Sequence, residues 1–153
     1  MAEPLLLDTT YLLPIFGIDV RLAGFEDKFP KILNAYDVHY NPISLVEAKW
    51  ISLRLGRGTD RKKFLEKYRS GVEALLADKR ISQTRVTDGA IELIADSLLA
   101  DDEVEDYFDR MIYATAAVEQ SHLLTEDKVL VRLESSEKER APRSTVSWKG
   151  ISV

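Results

Sequence analysis

The sequence predicts an α/β fold around a mostly parallel sheet. Short apolar runs of strand length, such as Leu5-Leu6-Leu7 and Leu123-Leu124, alternate with longer segments whose apolar residues recur every three or four positions. Alternation of that kind builds strand–helix–strand units, and such units lay their strands parallel. At 153 residues, 45% hydrophobic and 31% charged, the chain has the length and composition of a globular domain. A single domain over residues 1–153 is expected, long enough to bury roughly 68–70% of the unfolded chain's surface.

Each element follows from local pattern. Residues 5–8 read as a short buried strand. Asp8-Thr9-Thr10 then offers an N-cap for a helix through Tyr11, Leu12, Ile15 and Phe16, with Pro14 near its start. A short helix is predicted over 26–35, interrupted only by Pro30, and a weak strand over 37–40 before the turn Asn41-Pro42. Ser44-Leu45-Val46-Glu47 matches a capping box, which opens a helix with Val46, Trp50 and Leu53 on one face. Gly56-Arg57-Gly58 ends it. Phe64, Leu65, Tyr68, Val72, Leu75 and Leu76 define a longer helix, and residues 81–87 hold a strand. Two more amphipathic helices carry Ile91, Ile94, Ala95, Leu98 and Leu99, then Phe108, Met111, Ile112, Thr115 and Ala116. Strands are expected at 121–125 and, more weakly, at 129–133. Residues 134–147 are polar and contain Pro142, so they read as a loop, with Trp148 and Ile151 packing the C-terminus back onto the domain.

Composition excludes several classes. There is no cysteine, hence no disulfide framework and no thiolate metal site. No stretch approaches the roughly 18 apolar residues of a membrane helix, and the N-terminus lacks the basic region of a signal peptide. A cytoplasmic location is the expectation. The net charge of −5 conceals an asymmetry: residues 54–69 carry seven basic and two acidic residues, whereas residues 87–109 carry nine acidic residues and no Lys or Arg. A basic stretch in an acidic chain can mark a polyanion contact, here through Arg57, Arg61, Lys62 and Lys63, although a solvated helix face is the commoner explanation of a charge run. His39 and His122 show no metal-ligand spacing, and no nucleophile elbow or phosphate loop is present. Trp50 and Trp148 are expected to pack rather than to stack on bases.

In a parallel α/β sheet, ligands bind beyond the carboxyl ends of the strands. Asp8 and Asp127 follow predicted strands directly. Glu47 opens the helix after a strand. Asp109 begins a helix that runs back to the strand at 121–125, so its N-terminus lies at the same edge. Each acid alone reads better as a cap or turn residue; together the four converge. Clustered carboxylates without Cys or paired His suit a hard cation such as Mg²⁺ or Mn²⁺, whose usual substrate is a phosphodiester or phosphate.

Four blocks carry a family resemblance: Leu6-Leu7-Asp8-Thr9-Thr10-Tyr11-Leu12-Leu13, Ser44-Leu45-Val46-Glu47, Phe108-Asp109-Arg110-Met111-Ile112-Tyr113-Ala114-Thr115-Ala116, and Leu123-Leu124-Thr125-Glu126-Asp127. Together they resemble the PIN-domain nucleases, the fold of the VapC-type toxins of prokaryotic toxin–antitoxin pairs, in order over about residues 5–131. The third block is the most specific. The resemblance implies a three-layer α/β/α fold, a divalent-metal ribonuclease and often a homodimer, with an antitoxin protein as a further partner. Asp8, Glu47, Asp109 and Asp127 match the family's acidic positions, and Thr9 and Thr125 match positions where a hydroxyl commonly sits. Tyr113 departs from the pattern, standing where a smaller residue is common, and the charged tail from residue 134 is longer than in a minimal toxin.

Four neighbouring carboxylates repel one another, so at least one should titrate high without metal. Asp8 and Asp109 are expected as direct ligands, Asp127 as a ligand directly or through water, and Glu47 either as a ligand or as the group that orients the attacking water. Thr9 or Thr125 would hydrogen-bond that water or the phosphate. Competing expectations are a catalytically quiet PIN-like module that holds RNA or protein, and a metal phosphohydrolase acting on small esters.

Overall fold

The computed structural model describes residues 1–58, 60–133 and 138–153. Its centre is a five-stranded sheet formed by β1 (Pro4–Leu7), β2 (Asp37–Tyr40), β3 (Ile81–Gln83), β4 (His122–Leu124) and β5 (Ser144–Val146). The order is β3-β2-β1-β4-β5 and every pairing is parallel, with Leu5 opposite Val38 on one side and His122 on the other. The helices are α1 (Phe25–Ala35), α2 (Ile43–Leu55), α3 (Arg61–Ala77), α4 (Gly89–Ala100), α5 (Tyr107–Glu119) and α6 (Lys128–Arg132). No helix among the described residues is long and apolar enough to cross a membrane.

Alternation along β1 divides the core. Leu5 and Leu7 point into a cluster with Tyr11, Phe16, Ile32, Val38, Leu75 and Trp148, while Leu6 points the other way to Ile91, Met111, Ile112, Ala116 and Leu123. Because successive strand residues face opposite sides, one strand organises two helical layers. At Gly71 a Cβ would lie 2.5 Å from Phe16 Cδ1 and 2.7 Å from the Ile15 carbonyl oxygen, so only glycine lets α3 lie this close to that segment.

Several expectations are corrected. The helix through Tyr11 and Phe16 is two 3₁₀ turns, Thr9–Tyr11 and Leu13–Phe16. Pro14 has no N–H to donate to Thr10, which removes a bond that a continuous α-helix would need. No capping box forms at Ser44 and Glu47. The helix starts earlier, with Asn41 Oδ1 accepting from Ile43 N at 2.8 Å, and Ser44 is buried against Thr9 instead. The face of Val46 and Trp50 points to solvent, Trp50 being 63% exposed; Ser44, Ala48 and Ser52 are buried. Small residues on the inner face let α2 approach the core closely, so apolar size does not report burial there.

The proposed strand at 129–133 is α6. Asp127 caps it by accepting from Val129 N (2.8 Å) and Leu130 N (3.3 Å), and that first turn overrides the β-branched residues. The loop expected over 134–147 contains β5, which pairs with β4 through Ser144, Thr145 and Val146; its part at 134–137 lies outside the described residues. Three residues on a sheet edge are too few for periodicity to show. Trp148 does pack back: it is 4% exposed, stacks on Tyr11, and donates from Nε1 to the Ala23 carbonyl at 2.9 Å.

Candidate active site

One cleft of about 250 Å³ at the carboxyl end of the sheet is lined by Asp8, Thr9, Thr10, Leu13, Glu47, Ile51, Asp109 and Asp127. The topology explains the meeting. Asp8 extends β1, its N–H donating to the Leu124 carbonyl at 3.0 Å. Asp127 lies three residues past β4, Glu47 is on the first turns of α2, and Asp109 is on the first turn of α5. Asn41 holds the two helices in register: its Nδ2 donates to Thr115 Oγ1 on α5 (2.8 Å) and to the Val86 carbonyl (3.0 Å), while its Oδ1 starts α2.

Hydrogen bonds aim the carboxylates. Asp8 Oδ1 accepts from Thr9 N at 2.7 Å and Oδ2 from Thr125 Oγ1 at 2.6 Å. Thr125 Oγ1 in turn accepts from Asp127 N at 3.1 Å, so one hydroxyl ties two of the acids together. Thr9 Oγ1 donates to Ser44 Oγ at 2.8 Å. Asp106 caps α5 by accepting from Asp109 N at 3.0 Å. Beneath the cleft, Tyr11 Oη donates to Glu126 Oε1 at 3.0 Å, and the same oxygen accepts from Trp148 N at 2.8 Å. The C-terminal segment thereby braces the loop that carries Asp127.

Electrostatics records the crowding. Burial, then the charges of Asp8 and Asp106 and a hydrogen bond with Asp127, push Asp109 up to about 8. Two carboxyl groups can share such a bond only if one carries a proton. Burial also raises Asp8, against the opposing bonds from Thr125 and Thr9, and raises Glu47, with the charges of Asp8 and Asp106 adding and Thr9 and Arg54 opposing. A divalent cation supplies what Asp8 and Asp109 lack, a nearby positive charge.

The donor set is entirely oxygen, as Mg²⁺ and Mn²⁺ require, so the residues fit the group in charge and chemistry. Among the described residues no three His, Cys, Asp or Glu side chains form a ready-made metal-binding group. A cation held by both Asp109 and Asp127 would replace the hydrogen bond between them.

The structure brings together all four acids and Thr9 in the cleft, with Thr125 bonded to Asp8. Arg57, Arg61, Lys62 and Lys63 lie outside it, exposed around the turn between α2 and α3. His39 and His122 pair with Asp37 (3.0 Å) and Glu3 (2.9 Å), residues outside the cleft. Ser44 was expected only as a cap, and Asp106 is a further acid beside the cleft whose charge acts on Asp8, Glu47 and Asp109. The spacing Asp106-x-x-Asp109 at a helix start was the available signal for a fifth negative charge here.

A parallel α/β domain with a carboxylate cleft beyond its strands is thus defined. The chain belongs to the PIN domain family, whose model matches residues 5–135, and PIN domains are generally nucleases. No curated protein matches the sequence. Among solved structures, a chain of VapBC2 from Rickettsia felis, bound to a DNA fragment from its promoter, is similar with a TM-score of 0.63 and 13% identity, over 95% of this chain and 99% of that one. FitAB bound to the IR36 DNA fragment is similar with a TM-score of 0.60 and 19% identity, over 94% of each chain.

Proposed function

We propose that this protein is a divalent-metal-dependent endoribonuclease, the toxin of a VapBC-type toxin–antitoxin pair. The observation that carries the chemistry is the cleft itself: Asp8, Glu47, Asp109 and Asp127, from four distant segments, line one cavity where burial and like charge raise Asp8, Glu47 and Asp109. Asp8, Asp109 and Asp127 would hold Mg²⁺ or Mn²⁺. When bound, the cation would polarise the scissile phosphate and lower the pKa of an attacking water. Glu47, raised by burial and carried on α2 apart from the three proposed ligands, would orient that water and accept its proton. Thr125 fixes Asp8, and Thr9 stands beside Glu47 in the cleft.

The toxin reading is supported by the likeness to VapBC2 and FitAB, both solved with DNA. It carries with it an antitoxin partner, a homodimer and a cytoplasmic site of action. The test is single-turnover cleavage of mixed RNAs with Mn²⁺ against EDTA. Cleavage with Mn²⁺ alone is the expected result. RNA bound but uncut would make the chain a catalytically quiet binding module, and turnover confined to small phosphate esters would make it a phosphohydrolase.

A further inference from the structure

The cleft is acidic, and its lining offers nothing to attract a polyanion. Beside it lies a second hollow, of about 420 Å³, lined by Trp50, Leu53, Arg54, Arg57 and Arg61. The two are joined along α2. Glu47 and Ile51 face the cleft, while Trp50 and Arg54, one turn further on, face the hollow. Arg54 is near enough to act on Glu47's charge. Gly56 closes the far side: a Cβ there would lie 2.9 Å from Arg61 Cα, so glycine permits the approach that sets Arg61 beside Trp50.

None of the three arginines forms a salt bridge among the described residues. Among the described residues, the hollow's lining contains no carboxylate. Arg61, Lys62 and Lys63 occupy the first turn of α3, which has no acid; cations there oppose the helix dipole. The indole of Trp50 is 63% exposed although α2 has a well-buried inner face. An aromatic face ringed by unpaired guanidinium groups is the arrangement that stacks a base and holds the phosphates on either side.

We propose that the Trp50–Arg54–Arg57–Arg61 hollow is a subsite for single-stranded nucleic acid, in which Trp50 stacks on a base and the arginines hold phosphates, feeding the strand into the carboxylate cleft. This rests on the nuclease reading, but it is tested separately from it. An acidic protein fits less well, since the hollow adjoins carboxylates that would repel it and a phosphodiester is what those carboxylates are built to meet.

The test uses the full chain in EDTA, titrated with an eight-nucleotide oligouridylate and followed by tryptophan fluorescence. Trp148 is 4% exposed, and the part of the quenching that is lost in Trp50→Phe reports Trp50. Quenching is expected in the wild type and in Asp8→Asn. Anisotropy of labelled oligonucleotide should show Trp50→Ala weakening binding roughly tenfold, with Trp50→Phe restoring most of the affinity. Inorganic polyphosphate should compete without quenching. Binding with no quenching and no loss in Trp50→Ala would overturn the subsite even if Mn²⁺-dependent cleavage is intact. Equal quenching by polyphosphate would also overturn it. A Trp50 shielded from acrylamide in a free dimer that Trp50→Ala dissociates would make this face a protein interface and overturn it too. Quenching without any metal-dependent cleavage would keep the subsite and sink the nuclease reading.

Discussion

At the carboxyl end of the sheet, four carboxylates line one cleft that contains no basic side chain, whereas at the amino end acids are matched with bases. There Glu3 meets His122 Nε2 at 2.9 Å and Arg143 at 3.8 Å, Asp37 meets His39 at 3.0 Å, and His122 Nδ1 bonds Ser144 Oγ at 2.6 Å. The amino end joins β1, β4 and β5 with ordinary complementary pairs. The carboxyl end keeps like charges half-buried together, which costs stability in the absence of a cation. Capping accounts for Asp8 and Asp127 one at a time but not for four acids in one cleft, and that excess is why the proposed chemistry is placed there.

The largest effect that would break this contrast is on activity. Asp8→Asn should lower cleavage by roughly 10²–10⁴-fold, while the metal-free protein melts no lower than wild type, since a repelling charge has been removed. Circular dichroism melts beside single-turnover rates check both halves; full activity with Mg²⁺ would remove Asp8 from the site.

A smaller effect is expected from Arg61, Lys62 and Lys63 changed together to Ala. Single-stranded RNA binding loses about 0.7 in salt slope per phosphate contact, so the slope should flatten by roughly 2. Titrations at several salt concentrations measure this, and an unchanged slope returns the stretch to a solvated face.

Smallest should be the consequence of His122→Gln at the opposite edge. It weakens the links to Ser144 and Glu3 and should cost about 1 kcal/mol in urea unfolding, with cleavage untouched. A loss of activity equal to that of Asp8→Asn would mean that the two edges are not separable.

Much of this contrast was legible in the sequence. Asp8 and Asp127 follow apolar strands, and Asp109 sits at a helix start, so parallel topology alone carried them to one edge. What stayed hidden has physical reasons. Ser44 matched a capping box by spacing, but Asn41 had already started the helix, leaving Ser44 free to meet Thr9. Trp50 looked like core because apolar residues usually are, yet Ala48 and Ser52 supply the inner face of α2 and leave the indole outside. β5 escaped because Ser144, Thr145 and Val146 make only a three-residue edge strand. The opposed pairs of the amino end were invisible for a related reason: Glu3 and His122 lie 119 positions apart, with no pattern linking them.

The most direct test of the central claim is metal-dependent melting at two pH values. Asp109 has its pKa raised to about 8, so between its unfolded value near 4 and that point the native state binds more protons than the unfolded one. Metal-free stability should therefore fall as pH rises through this window. Mn²⁺ should reverse the fall, stabilising by about 2.7 kcal/mol at roughly 100 times Kd, more at pH 8 than at pH 5.5 because protons compete for the same oxygens. In Asp109→Asn the part of the fall that extends up to about pH 8, and most of the response to Mn²⁺, should disappear, leaving the smaller share owed to Asp8 and Glu47. Equal responses in the wild type and the variant at both pH values would place the metal elsewhere and contradict the account.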